Sequence, residues 1–336
     1  MPSPTLPEPA RARQEFQPVK LIKSVNVIPE CPIDEIVSIV RRAENHGFDR
    51  CWIYDEGLVT RDVYAVMASV LAATRTMHVG PGITNPYTRH PAQTASSIAT
   101  LDEVSGGRAF LGIGAGGSLT LGPIGIERAK PLTAVRESIE IARALFAGEP
   151  AHYDGSFASL HGAVLDYGRP DIEIWLAGRG PKMLALGGAV ADGVMLDFIH
   201  KDSLADSVAT IRSGGPARIC YSTAIVTDHD DLEFVRPHMT YRLVDSPDPV
   251  KAAIGLGADD EQRIRSAMSG GIHAAAVHVR DEWIEPFIIT GSISNCAAEI
   301  RSLMGDHGME EFLVPMFDMP APLRYLDRVA SVLNSV

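Results

Sequence analysis

At 336 residues the chain is long enough for one large α/β barrel, which takes ~250 residues, or for two ordinary domains. Its apolar share of 46% supports a sizeable core, while no segment reaches the ~18 unbroken apolar residues of a membrane span. A formal charge of −12 without a basic stripe argues against nucleic acid and membrane lipid as partners, so an anionic ligand must be held by local backbone donors and a few cations. Residues 1–19, rich in proline, arginine and glutamate, lack the apolar centre of a secretory signal and read as a flexible arm.

From residue 20 onward, short apolar runs alternate with helical patterns. A strand is expected over 20–28, a helix over 32–46 with Gly47 at its end, a strand over 50–54 and a helix over 61–73. Next come a strand over 78–84, a helix over 91–104 with proline in its first turn, and a strand over 108–112 leading into a glycine-rich turn. Residues 131–146 form an amphipathic helix with Val135, Ile139, Ala142 and Phe146 on one face. Around Tyr153-Asp154-Gly155 the rhythm breaks, and 149–165 reads as a surface hairpin. Alternation then resumes with strands over 173–177, 193–196 and 217–226, separated by helices over 181–190 and 203–213. Residues 232–280 are helical and irregular, and a capped helix over 292–304, a strand over 311–317 and a helix over 322–333 complete the pattern.

Eight strands alternating with helices predict a parallel sheet with right-handed crossovers. A closed barrel and an open doubly wound sheet both satisfy that rhythm, and the lack of a Pro/Gly/Ser-rich linker favours the barrel. The expected fold is α/β: a single (β/α)8 TIM barrel over residues 20–336, with insertions near 149–165 and 232–290. Cys31, Cys51, Cys220 and Cys296 are widely spaced with no CxxC pair, which argues against a disulfide frame or zinc knuckle and fits a reducing, cytoplasmic setting. His90, His152, His161 and His200 have no partner at metal-ligand spacing, so no metal site is assigned.

In such a barrel the residues just after each strand line the active face. After the second strand come Asp55 and Glu56, adjacent acids that form either a solvated loop or, if burial raises a pKa, a proton donor. After the fourth comes the run from Gly112 to Gly117, which is either a plain turn or backbone kept bare so that a flat ring can approach. After the fifth, Gly178-Arg179-Gly180-Pro181-Lys182 opens directly into a helix. That turn offers free N–H groups, a positive dipole end and two cations to a phosphate, or else merely connects strand to helix.

Residues 80–116, reading GPGITNPYTRHPAQTASSIATLDEVSGGRAFLGIGAG, closely resemble the luciferase-like flavin and deazaflavin superfamily. They look most like its branch of coenzyme F420-dependent methylenetetrahydromethanopterin reductases. Further matches in the family's order are Trp52-Ile53-Tyr54-Asp55, Lys130-Pro131-Leu132, Tyr153-Asp154-Gly155, Gly180-Pro181-Lys182-Met183-Leu184, Ala191-Asp192-Gly193-Val194 and residues 289–292. The resemblance implies a bulged third strand with a non-prolyl cis peptide at Gly82–Ile83 behind the cofactor ring. Thr84, Asn85, Gly114, Ala115 and Gly116 would border the ring, and Gly178, Arg179, Gly180, Pro181 and Lys182 would take its phosphate. It also implies a homodimer and a small-molecule substrate. Three positions depart from the family: Asn26 stands where the pterin reductases carry a glutamate, and Gly117 where they carry an aspartate. Glu56 replaces the histidine of related deazaflavin dehydrogenases. The leading expectation is a coenzyme F420-dependent oxidoreductase reducing a C=N or activated C=C bond, with Glu56, Asp55 and Asn26 as candidate catalytic residues. The alternative is a monooxygenase that uses reduced FMN.

Overall fold

Short apolar runs become the strands of a parallel sheet wrapped by helices. The computed structural model describes residues 21–317 and 319–336, with the side chains of 118 and 119 left aside; the expected arm at 1–19 lies outside the described residues. Eight strands follow in chain order: Ile22–Val27, Arg50–Ile53, His78–Pro81, Leu111–Gly114, Ile174–Ala177, Gly193–Asp197, Arg218–Ser222 and Glu311–Met316. They are hydrogen-bonded in the order third, second, first, eighth, seventh, sixth, fifth, fourth. The remaining seam, between the third and fourth strands, is closed by two isolated parallel bridges, Val79 with Ala109 and Thr84 with Ile113. The rhythm read from the sequence is thus a barrel, not an open sheet.

Between those bridges the third strand runs five steps and the fourth runs four, so the third carries one extra residue. This is the bulge, and the peptide between Gly82 and Ile83 within it is cis. The fourth strand starts and ends later than expected. The observed strand is Leu111–Gly114, not 108–112, and Gly114, expected in the turn, is a strand residue. A Cβ on Gly112 would stand 2.1 Å from the Pro81 carbonyl oxygen, and one on Gly114 would stand 2.1 Å from Ile83 Cδ1. The Pro81 carbonyl of the bulge therefore requires Gly112, and the Ala177 carbonyl oxygen, 2.9 Å from an added Cβ, crowds Gly114 together with Ile83.

Inside the barrel, Trp52, Phe110, Trp175, Met195, Cys220 and Leu313 form one buried cluster. Large rings face glycines on the neighbouring strands: a Cβ on Gly80 would lie 2.3 Å from the Phe110 ring, and one on Gly193 would lie 2.3 Å from that of Trp175. Trp52 meets Phe110 edge-on at 4.6 Å. Beneath it, Glu311 is wholly buried and accepts hydrogen bonds from Trp52 Nε1 (2.9 Å) and Ser24 Oγ (2.5 Å). At the same end, Glu173 pairs with Arg50 at 2.7 Å and Arg218 at 2.8 Å.

The hairpin is present as Ala151–Asp154 paired antiparallel with Ser159–Ala163. The irregular segment folds into the helices His229–Val244, Asp248–Ala253, Ala258–Ala267, Ile272–Ala276 and Asp281–Ile284, which share a separate apolar cluster around Met239, Leu243, Ile264 and Trp283. The expected long strand over 217–226 is broken after Ser222. Ile225 and Val226 leave the barrel to pair with Ile289 and Thr290 at the edge of that segment. Among the described residues, no helix is long and apolar enough to cross a membrane.

Candidate functional site

The C-terminal strand ends enclose a cleft of about 350 Å³. Its floor is Gly82 and Ile83 of the bulge, and its walls include Asn26, Asp55, Glu56, Ala115, Gly116, Gly178 and Arg179. The structure thereby brings together these nine candidate site positions, and Gly117 lines the cleft with them. Gly114, Thr84, Asn85, Gly180, Pro181 and Lys182 lie outside this lining and act on it from behind or from the side.

Thr84 donates its hydroxyl to Asp55 Oδ2 at 2.7 Å, fixing that carboxyl at the end of the second strand. Asn85 turns its carbonyl oxygen back to the N–H groups of Tyr87 (2.9 Å) and Thr88 (3.1 Å), so it ties the loop after the bulge. Gly178 makes room for Met183, whose Cγ would be 2.5 Å from an added Cβ. Gly180 differs, since no protein atom lies within 4 Å of where its Cβ would stand. It opens the helix Pro181–Val190, which no side chain caps, so free N–H groups and the positive dipole end point outward beside Lys182.

Burial pushes the Asp55 carboxyl above its ordinary range, and the Thr84 hydrogen bond offsets only part of this. Burial likewise raises Glu56, against the opposing bond from Thr120 Oγ1 at 3.0 Å. Asn26, 2% exposed, donates Nδ2 to the Gly82 carbonyl at 3.2 Å; its Oδ1 has no partner among the described residues.

Sequence reasoning missed Tyr54, Thr120, Met195, Asp197, Tyr241 and Arg242, all of which line the cleft. Tyr54 and Asp197 sit at strand ends, where the strand-end rule alone would have found them. Tyr241 and Arg242 arrive on the helix His229–Val244 of the irregular insertion, where no periodic signal marked them. Arg179 also adopts an unforeseen direction. Its guanidinium faces the strand-six end, with Nε to the Asp197 carbonyl at 3.2 Å and Nη2 to Asp197 Oδ2 at 3.6 Å, not the helix start. Burial alone would raise Asp197, but Arg242 and Arg179 outweigh it and hold this carboxyl below its usual range.

Such a cleft offers a bare backbone floor, two acids that hold protons unusually well, and a helix start that no side chain caps. That combination suits a flat, phosphorylated redox cofactor on two structural grounds. Asn26 Oδ1 is a buried acceptor lacking a partner among the described residues, and Gly180 has no neighbour in the protein that demands glycine.

Comparison with known proteins agrees. The family model described as "Luciferase-like monooxygenase" matches residues 19–311. The 5,10-methylenetetrahydromethanopterin reductase of Archaeoglobus fulgidus is 35% identical over 295 residues, covering 83% of this chain and 89% of that protein. That of Methanolobus tindarius is 33% identical over 297 residues, covering 83% and 90%. Among solved structures, the coenzyme F420-dependent tetrahydromethanopterin reductase from Methanopyrus kandleri matches with a TM-score of 0.83 at 27% identity, over 93% of this chain and 97% of that one. A match running from the first barrel strand to the start of the eighth, backed by relatives aligned along most of their own length, means that this chain belongs to the luciferase-like monooxygenase family.

Proposed function

We propose that the chain is a coenzyme F420-dependent oxidoreductase, which moves a hydride between the deazaflavin and a small organic substrate with a C=N or activated C=C bond. The observation that carries this reading is the bulged, acid-walled cleft on a chain with 35% identity to a pterin reductase across 83% of its length. The family name mentions monooxygenases, but the long relatives at 33–35% identity are reductases.

Gly82, Ile83, Asn26, Ala115 and Gly116 would hold the cofactor ring, with Asn26 Oδ1 free to accept a ring N–H. Gly180, Pro181 and Lys182 would hold the phosphate at the helix start, and Arg179 would add charge from the cleft side. Bound there in its reduced form, the deazaflavin would supply hydride chemistry, two electrons with one hydrogen. Glu56 then breaks its O–H bond and gives the proton to the substrate atom left negative, keeping the bonding pair as a carboxylate. It recovers a proton from water afterwards. Asp55, oriented by Thr84, fixes the polar wall beside it. Walls of Tyr54, Met195 and Tyr241 exclude bulk water from the transfer.

Anaerobic absorbance titration tests the cofactor: saturable binding of F420 is expected. Tight binding of reduced FMN with oxygen uptake, and none of the deazaflavin, would overturn the choice. The same reading carries a homodimer packed through helices on one side of the barrel, and light scattering at micromolar concentration that returns a single-chain mass refutes it. A reducing, cytoplasmic setting suits the free cysteines Cys31, Cys51, Cys220 and Cys296.

A further inference from the structure

We propose that Asp197 is a positioning residue for proton delivery: by pairing with Arg242 it keeps that guanidinium's charge off Glu56, so that Glu56 can carry a proton into the cleft. This rests on the reading of Glu56 as the proton donor.

The geometry is specific. Arg242 is 2% exposed and sends Nε (3.1 Å) and Nη2 (2.9 Å) to the same oxygen, Asp197 Oδ2, while Nη1 bonds the His238 carbonyl at 2.7 Å. Its guanidinium lies 4.3 Å over the Phe198 ring and 4.8 Å over that of Tyr241. Asp197 Oδ1 is held in turn by Ser222 Oγ at 2.8 Å. Phe198 has φ of 47°, a left-handed conformation that is costly for a bulky residue and tends to persist where function over-determines it. That turn puts the Phe198 ring against Arg242 directly after Asp197.

A buried ion pair is often only architecture, but two facts set this one apart. It lines the reaction cleft, and one carboxylate serves two guanidiniums, Arg242 and Arg179. The charged and titratable groups that line the cleft with Glu56 come from four elements. Tyr54 and Asp55 come from the second strand end, Arg179 from the turn after the fifth, Asp197 from the sixth, and Tyr241 and Arg242 from the insertion helix. Thr120, which cannot titrate, holds the Glu56 carboxyl itself. Arg242 is the cation whose field pulls Glu56 toward the carboxylate, and Asp197 opposes it. Among side chains buried away from water, an unpaired guanidinium there would strip the proton that the reaction needs.

The test uses the full chain without cofactor as well as the turning-over enzyme. Difference infrared spectroscopy follows the Glu56 carboxyl band, assigned by its loss in Glu56→Gln, as pH is raised. Asp197→Asn is expected to lower the midpoint by about one pH unit, and Arg242→Met to raise it. The alkaline limb of the kcat profile should move the same way in each variant. Midpoints unmoved in both, or moved in one direction in both, overturn the proposal. Should Asp197→Asn fail to fold, the shift in Arg242→Met decides alone: upward supports it and no shift overturns it. An alkaline limb that survives Glu56→Gln removes the proton-donor reading instead, and the infrared midpoints still judge the pairing.

Discussion

Burial makes ionisation of Glu56 costly, and that cost exists only in the folded state. Because its folded pKa lies above the unfolded value of ~4.3, its contribution to stability is full below that value and is lost as pH rises through the folded pKa. Glu56→Gln removes the titration. Its melting temperature relative to the unmodified protein should therefore climb between pH 4 and pH 7, while kcat falls roughly 100-fold or more, within the usual range for losing a general acid. A loss of no more than twofold in kcat would sink the proton-donor role. Asp55 and Glu56 were legible in the sequence because they directly follow a strand of such a barrel. Arg242 was not, since the helix His229–Val244 buries polar Asp231, His238, Thr240 and Arg242 along with its apolar residues. A helix enclosed on several sides has no apolar stripe to read, so which residue faces a ligand is fixed only by the packing of the insertion.

Among the elements, the third and fourth strands meet where the bulge presses on two glycines, and there the sequence misled. Glycines at 112 and 114 look like a turn because turns favour glycine, yet here they lie within a strand, where the bulge leaves no space for a Cβ. Only the resemblance to a known family pointed to the bulge, since no local propensity encodes a contact with Pro81 or Ile83 thirty residues away. Gly112→Ala should cost about 1–3 kcal/mol in urea denaturation, the usual range for overpacking, and should weaken cofactor binding as the bulge is pushed outward. Gly122→Ala, with no atom within 4 Å of the new Cβ, should stay within ~0.5 kcal/mol of the unmodified chain. Equal losses at the two sites would refute the close contact as the cause. By contrast the helices Pro131–Phe146, Pro181–Val190 and Pro322–Leu333 fall where the sequence placed them, because proline marks each start.

At the scale of the whole molecule, the end of the barrel opposite the cleft is tied by charge. Burial pushes Glu173 up, but Arg50, Trp175 and Arg218 together bring its carboxyl down to about 2. A depressed acid stabilises above its unfolded pKa and loses that contribution as pH falls toward the folded one. Acid unfolding should therefore steepen between about pH 4 and pH 2, and Glu173→Gln should flatten that slope; circular dichroism against pH measures both. An unchanged slope would mean that this ion cluster adds nothing to stability. The sequence announced the barrel's closure through its eightfold rhythm, but not where closure is weakest. Among the described residues, four backbone N–H groups donate across the seam: Val79 (2.8 Å), Phe110 (3.2 Å), Thr84 (3.0 Å) and Gly114 (3.0 Å). Local opening should thus need least free energy beside the cleft, and a molecule seated on the bulge would act as a latch across the gap. In hydrogen–deuterium exchange these four amides should trade protons sooner than those of the first and eighth strands, then slow sharply once the cofactor is added. Binding and the integrity of the barrel would then be one equilibrium, so that a cell starved of the cofactor would hold a looser, more protease-sensitive protein.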